Sequence, residues 1–159
     1  MTPRRDTQRA KVYAAEEFVR TLFDRAAEHG NRVVDFFGTQ LTLPPEGRFA
    51  TVTAVQRYVD DVLAHVGADR PLAVRARRGA TAAHYERFDD GATIAVPDRR
   101  TSWALRELVV LHEIAHHLSD DDPPHGPEFV ATFCELADAV MGPEVGHVLR
   151  VVYAKEGVR

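Results

Sequence analysis

The stretch from Leu105 to Leu118 constrains this chain more than any other. Leu105, Leu108, Val109, Val110, Leu111, Ile114 and Leu118 place apolar side chains on nearly all sides of a helix. A helix that is apolar all round is a buried helix. The same stretch reads His112-Glu113-Ile114-Ala115-His116. Polar side chains taken into such a helix need partners, because an unpaired buried polar group is costly. The fold must therefore enclose this helix and still provide for two imidazoles and a carboxylate.

Histidines at i and i+4 lie on one helical face, about 40° apart around the axis. Their rings can converge on one metal ion. Glu113 sits to the side of the pair, within reach of a water but not required as a ligand. This is the signature of zinc hydrolases, in which zinc acidifies a water and the glutamate takes its proton. The bland alternative is a helix whose surface histidines are spaced by four.

A catalytic zinc takes three protein ligands and keeps one open position. The third ligand must come from outside the pair. The metzincin spacing requires Gly and His three and six residues after His116, where this chain has Ser119 and Asp122. Three candidates remain. His125 lies in a loop nine residues after His116, Glu135 lies nineteen after it, and Asp120, Asp121 and Asp122 form an acidic run. His125 is favoured because imidazole is the commonest metal ligand. Glu135 and the Asp run are otherwise solvated, with one Asp able to brace a ligand histidine. His117 points about 100° from His116 and cannot join the same site. It is expected to be exposed or paired. His84, Tyr85 and Tyr153 are possible oxyanion donors, while His29, His65 and His147 are ordinary.

Composition bounds the rest. The 159 residues fit one domain, residues 1–159, with 1–7 as a loose leader. Cys134 is the only cysteine, so no internal disulfide forms and no cysteine-based zinc site is available. Net charge is −4, so nucleic acid is not the expected partner. Arg75, Arg77, Arg78, Arg99, Arg100 and Arg106 could bind nucleic acid only as a local basic surface. No apolar run is long enough for a membrane span, and no apolar signal segment follows the N-terminus. The expected setting is cytoplasmic.

Apolar spacing predicts a first helix over 7–28, stopped by Gly30-Asn31. Residues 32–43 read as one strand interrupted at Gly38. A second helix, capped by Thr51 or Thr53, runs to about Val66. A strand follows at 72–77. Asp89-Asp90-Gly91 then joins Thr81–Phe88 and Ala92–Val96 as a hairpin. Helices follow over 102–118, from Pro127 to about Met141, and from Pro143 to about Ala154. Strands clustered ahead of helices give an α+β class.

The run His112-Glu113-Ile114-Ala115-His116-His117-Leu118, followed by His125-Gly126-Pro127-Glu128-Phe129, resembles the HExxH and H-G-x-x-F pattern of SprT-like and related short zincins. It is similar in particular to small zinc metallohydrolases of actinobacteria and their phages. The resemblance is specific over about 112–129. It implies Zn2+ bound by His112, His116 and His125, with Glu113 as general base. It also implies a zincin-like fold with an N-terminal helix, a small mixed sheet, an active-site helix and C-terminal helices. In that fold an edge strand can pair with an extended substrate, and Gly91–Val96 is the strand expected there. The cysteine zinc ribbon of SprT-like proteases has no counterpart in a chain with one cysteine, so a role in DNA–protein crosslink repair is not carried over.

Two functions follow. The first is a zinc-dependent hydrolase, a metallopeptidase acting on a peptide or protein. The second is a catalytically inactive binding or regulatory protein on a zincin scaffold, its structural zinc closed by a fourth ligand such as Glu135 or an Asp.

Overall fold

The computed structural model describes residues 2, 4–79, 82–98 and 105–159. The class is α+β, as expected, with helices α1 (Arg9–Glu28), α2 (Val52–Val66), α3 (Glu107–Leu118), α4 (Pro127–Val140) and α5 (Pro143–Lys155). The strands are β1 (Val33–Phe36), β2 (Thr39–Thr42), β3 (Ala73–Arg77), β4 (His84–Phe88) and β5 (Gly91–Pro97). The chain divides into two compact units, Met1–Pro45 with Ser119–Arg159, and Glu46–Leu118.

The first unit joins both ends of the chain. Val12, Ala15, Val19, Phe23 and Ala26 form the buried face of α1, which packs on α5. Helices α4 and α5 pack together through Phe129, Phe133, Leu136, Ala137, Val145, Val148, Leu149 and Val152. A Cβ on Gly146 would overlap the carboxylate of Asp138, which pairs with Arg150 at 2.6 Å. Tyr153 is buried, and its hydroxyl donates to Glu16 Oε2 at 2.8 Å.

Residues 32–43 form a hairpin rather than one strand. The turn is Phe37-Gly38, with φ of +48° and +85°. Two consecutive positive φ values are what a tight two-residue hairpin turn requires. Asp35 Oδ1 accepts from Gly38 N–H at 2.9 Å and helps hold the turn. The phenylalanine at the first turn position hid the signal, since Asn or Asp is the usual residue there.

In the second unit α3 packs against β4 and α2. Thr51 caps α2 by accepting from Ala54 N–H, and Gly67 ends it in the left-handed region. Gln56 on α2 ties that helix to the sheet, its amide nitrogen donating to Leu72 O and its amide oxygen accepting from Val74 N–H. The sheet is mixed, with order β3-β5-β4, β5 running parallel to β3 and antiparallel to β4. The strand expected at the edge, Gly91–Val96, is therefore the central one. Ile94, Ala95 and Val96 are completely or almost completely buried and need neighbours on both sides. Strand β4, with His84, Glu86 and Arg87, has the polar composition that suits an edge, and it is the strand that contacts α3.

Helix α3 starts at Glu107, later than the expected 102; residues 102–104 lie outside the described residues. Phe49 N–H donates to Leu105 O, and Glu107 N–H donates to Gly47 O, so residues 47–49 pair with the approach to the helix. Glu46 sits at the helix start. It accepts from Arg106 Nε at 2.9 Å and from Leu108 N–H at 3.0 Å. A carboxylate at a helix N-terminus satisfies open N–H groups and complements the helix dipole. Arg106 is thus buried in an ion pair and unavailable to a nucleic acid. Arg99 and Arg100 lie outside the described residues, and Arg75 pairs with Glu86 at 3.3 Å.

Breaking a buried pair leaves one charge uncompensated, at a cost of about 3–5 kcal/mol. Arg106→Met and Glu46→Gln should each lose stability of that order in urea unfolding. The double variant should lose clearly less than the sum of the two.

Candidate metal centre

Helix α3 carries its polar side chains inside. His112, Glu113 and His117 are 3%, 7% and 2% exposed, and His116 is half-buried. One helical turn separates His112 from His116, and their Nε2 atoms stand 3.2 Å apart. Two zinc–nitrogen bonds of 2.0–2.1 Å at a tetrahedral angle span about 3.4 Å. The pair therefore already has close to the spacing of two ligands on one ion.

His125 follows α3 by a short loop whose geometry is set by the acidic run. Asp121 Oδ2 accepts from Phe129 N–H at 2.7 Å and so caps the start of α4, where Pro127 occupies the first turn. A Cβ on Gly126 would crowd that carboxylate, with Asp121 Oδ2 at 2.8 Å, which accounts for glycine next to His125. Asp120 N–H donates to Glu128 Oε1 at 3.2 Å. His125 is buried and lies between the rings of Tyr13 and Phe129, each with its centroid 5.3 Å away.

His112, His116 and His125 offer ligand atoms that all lie within 4.8 Å of one another, and this cluster could hold a metal ion. Among the described residues, no member of the Asp120–Asp122 run belongs to that group, and neither does Glu135, which is exposed on α4. Asp121 was one of the ligand candidates and instead caps a helix.

His117 is paired, and it is buried rather than exposed. The Arg70 carbonyl stands 2.9 Å from its Nε2, and the Tyr85 hydroxyl 2.9 Å from its Nδ1. A carbonyl only accepts, so Nε2 carries the hydrogen and Nδ1 accepts from Tyr85. Burial lowers the pKa of His117 below its ordinary value, and the Arg70 and Arg87 cations act in the same direction. The Tyr85 hydroxyl also accepts from Arg87 Nε at 3.1 Å. Its one proton goes to His117, so it is not poised as an oxyanion donor. Its ring stacks against His116, with centroids 6.2 Å apart. Tyr153 is likewise committed, to Glu16, and His84 is exposed beside Glu86 at 3.7 Å.

Two contacts in this region involve residues not expected from the sequence. Asp6 Oδ2 lies 2.7 Å from His125 Nδ1, and Gln8 Nε2 donates to the His125 carbonyl at 2.9 Å. Both come from the start of the chain, in or next to the segment read as a loose leader. That segment has no apolar periodicity, and only a contact across 119 residues reveals its role.

No protein family, curated protein or solved structure matches the chain. Among the described residues, no helix is long and apolar enough to cross a membrane.

Cys134 takes no part in the cluster. It is buried on α4, and burial pushes its thiol up to about 12. A thiol-reactive disulfide reagent at pH 8 should leave Cys134 unmodified in the folded protein and react fully once urea unfolds it. Prompt reaction of the folded protein would contradict this placement.

Proposed function

We propose that the protein is a zinc-dependent hydrolase, a metallopeptidase of zincin-like fold, with His112, His116 and His125 as metal ligands and Glu113 as general base. The observation that carries this reading is the convergence of the three histidines. Three imidazoles suit zinc, and three is the number of protein ligands a catalytic zinc takes. The alternative, a structural zinc on an inactive scaffold, needs a fourth protein ligand. Among the described residues the cluster consists of the three histidines.

When bound, zinc supplies Lewis acidity for a carbonyl and for water. The chain's own residues supply the proton chemistry. Glu113 follows His112 directly on α3 and is held in a buried setting. Its carboxylate takes a proton from the attacking water and delivers it to the leaving amine as the peptide bond breaks. Val109, Val110 and Ile114, its neighbours along the helix, are buried as well. A buried setting strengthens the electrostatic interactions within it. A peptide or protein is the proposed substrate, and the cytoplasm, which suits a lone buried thiol, is the proposed setting.

The wild-type chain should bind one zinc, and His112→Ala and His116→Ala should each abolish stoichiometric binding at micromolar metal. Glu113→Gln should keep the zinc. Its turnover of a quenched-fluorescent peptide library should fall by about 10²–10⁴-fold, the usual contribution of a general base. Wild-type turnover retained in Glu113→Gln would refute the assigned role, and a chain that binds no zinc would refute the site.

A further inference from the structure

His125 is the one proposed ligand that does not come from α3, so the pitch of that helix does not set its orientation. A free imidazole has two tautomers, and only one presents a lone pair at a given nitrogen. Asp6 Oδ2 stands 2.7 Å from His125 Nδ1, with the two side chains only 19% and 7% exposed. A carboxylate accepts and does not donate, so Nδ1 carries the hydrogen and Nε2 is left with the lone pair. Such carboxylate–histidine pairs orient metal ligands and raise their basicity.

The segment bearing Asp6 is itself tied down. Gln8 Nε2 donates to the carbonyls of His125 and Arg159, each at 2.9 Å, and Gln8 Oε1 accepts from Arg159 N–H at 2.7 Å. Tyr13, one turn into α1, places its ring against the His125 imidazole. The N-terminal segment thus contacts His125 at its ring, through Asp6 and Tyr13, and at its backbone, through Gln8.

We infer that Asp6 is a positioning residue for the metal centre, holding His125 in the tautomer and orientation that present Nε2 to the ion. The N-terminal segment is then part of the site, and metal affinity depends on its being docked. This inference rests on His125 being a ligand, as proposed above.

Zinc affinity of the full chain, measured by competition with a chromophoric chelator, tests it in wild type, Asp6→Ala, Asp6→Asn and His112→Ala. Asp6→Ala should weaken zinc binding by about 10–100-fold, the usual effect of removing such a partner. Asp6→Asn keeps an oxygen that can accept from Nδ1–H, and it should recover part of that loss. At saturating cobalt(II), the visible absorption of Asp6→Ala should be displaced from that of wild type and largely restored in Asp6→Asn. Unchanged zinc affinity and an unchanged cobalt spectrum in Asp6→Ala would overturn the inference, even if melting of the metal-free variant fell. With His112→Ala deficient in zinc, that result would leave the proposed centre standing. If Asp6→Ala does not fold, Asp6→Leu, which keeps the volume and removes the acceptor, takes its place, and unchanged zinc affinity and cobalt spectrum in that variant would overturn the inference. A wild-type chain that binds no zinc overturns both the centre and the role of Asp6.

Discussion

Imidazole, guanidinium and carboxylate groups withdrawn from water must be given partners, and helix α3 concentrates that demand in little more than three turns. At its start, Arg106 is buried against Glu46, whose carboxylate also receives Leu108 N–H. Near its end, His117 is fixed between the Arg70 carbonyl and the Tyr85 hydroxyl. Between these two points, His112 and His116 turn their Nε2 atoms toward each other at 3.2 Å. Two neutral imidazoles meeting this way either share one N–H or direct two lone pairs at one cation. The second arrangement is what a metal centre uses. The surrounding apolar residues need the helix buried, and the burial is tolerable only because each polar group has been provided for.

The partners on either side of the pair also limit which groups are open to a metal ion there. His117 and Tyr85 satisfy one another, which withdraws the adjacent imidazole and the nearest phenol from competing chemistry. Glu46 anchors the helix start, and Glu107 accepts from the Tyr58 hydroxyl and from Gly47 N–H. Burial and the Glu107 and Glu46 carboxylates push the Tyr58 phenol far above its ordinary range, so it stays a neutral donor. Helix α3 is thus fixed at its start by carboxylates and near its end by a neutral histidine, with His112 and His116 in between.

Much of this was legible from local pattern. Apolar spacing, with Pro127 and Pro143 as helix openings, located the five helices of the described residues, Asp-Gly located the β4–β5 turn, and the spacing of His112 and His116 placed two imidazoles side by side. Long-range pairing was not legible. Strand order within the β3-β5-β4 sheet depends on which strand is buried on both sides, and the sequence points to Gly91–Val96 as an edge although Ile94 to Val96 are the most enclosed part of the sheet. The Phe37-Gly38 turn escaped notice because Phe is an unusual residue at positive φ. Residues 1–7 offered no periodicity at all, so the bond from Asp6 to His125 could come only from three-dimensional structure. The Asp120–Asp122 run was chemically ambiguous, and the backbone decided it by placing Asp121 at the start of α4.

In the proposed centre three imidazoles, and no sulfur or fourth protein ligand, surround one zinc. X-ray absorption at the zinc edge, on the chain loaded with one equivalent, tests it most directly. The expected result is a four-coordinate first shell of nitrogen and oxygen at about 2.0–2.1 Å, with the outer-shell scattering of three imidazoles and one non-protein oxygen donor. A sulfur shell near 2.3 Å, imidazole scattering from fewer than three rings, or a shell closed by a protein carboxylate would contradict it.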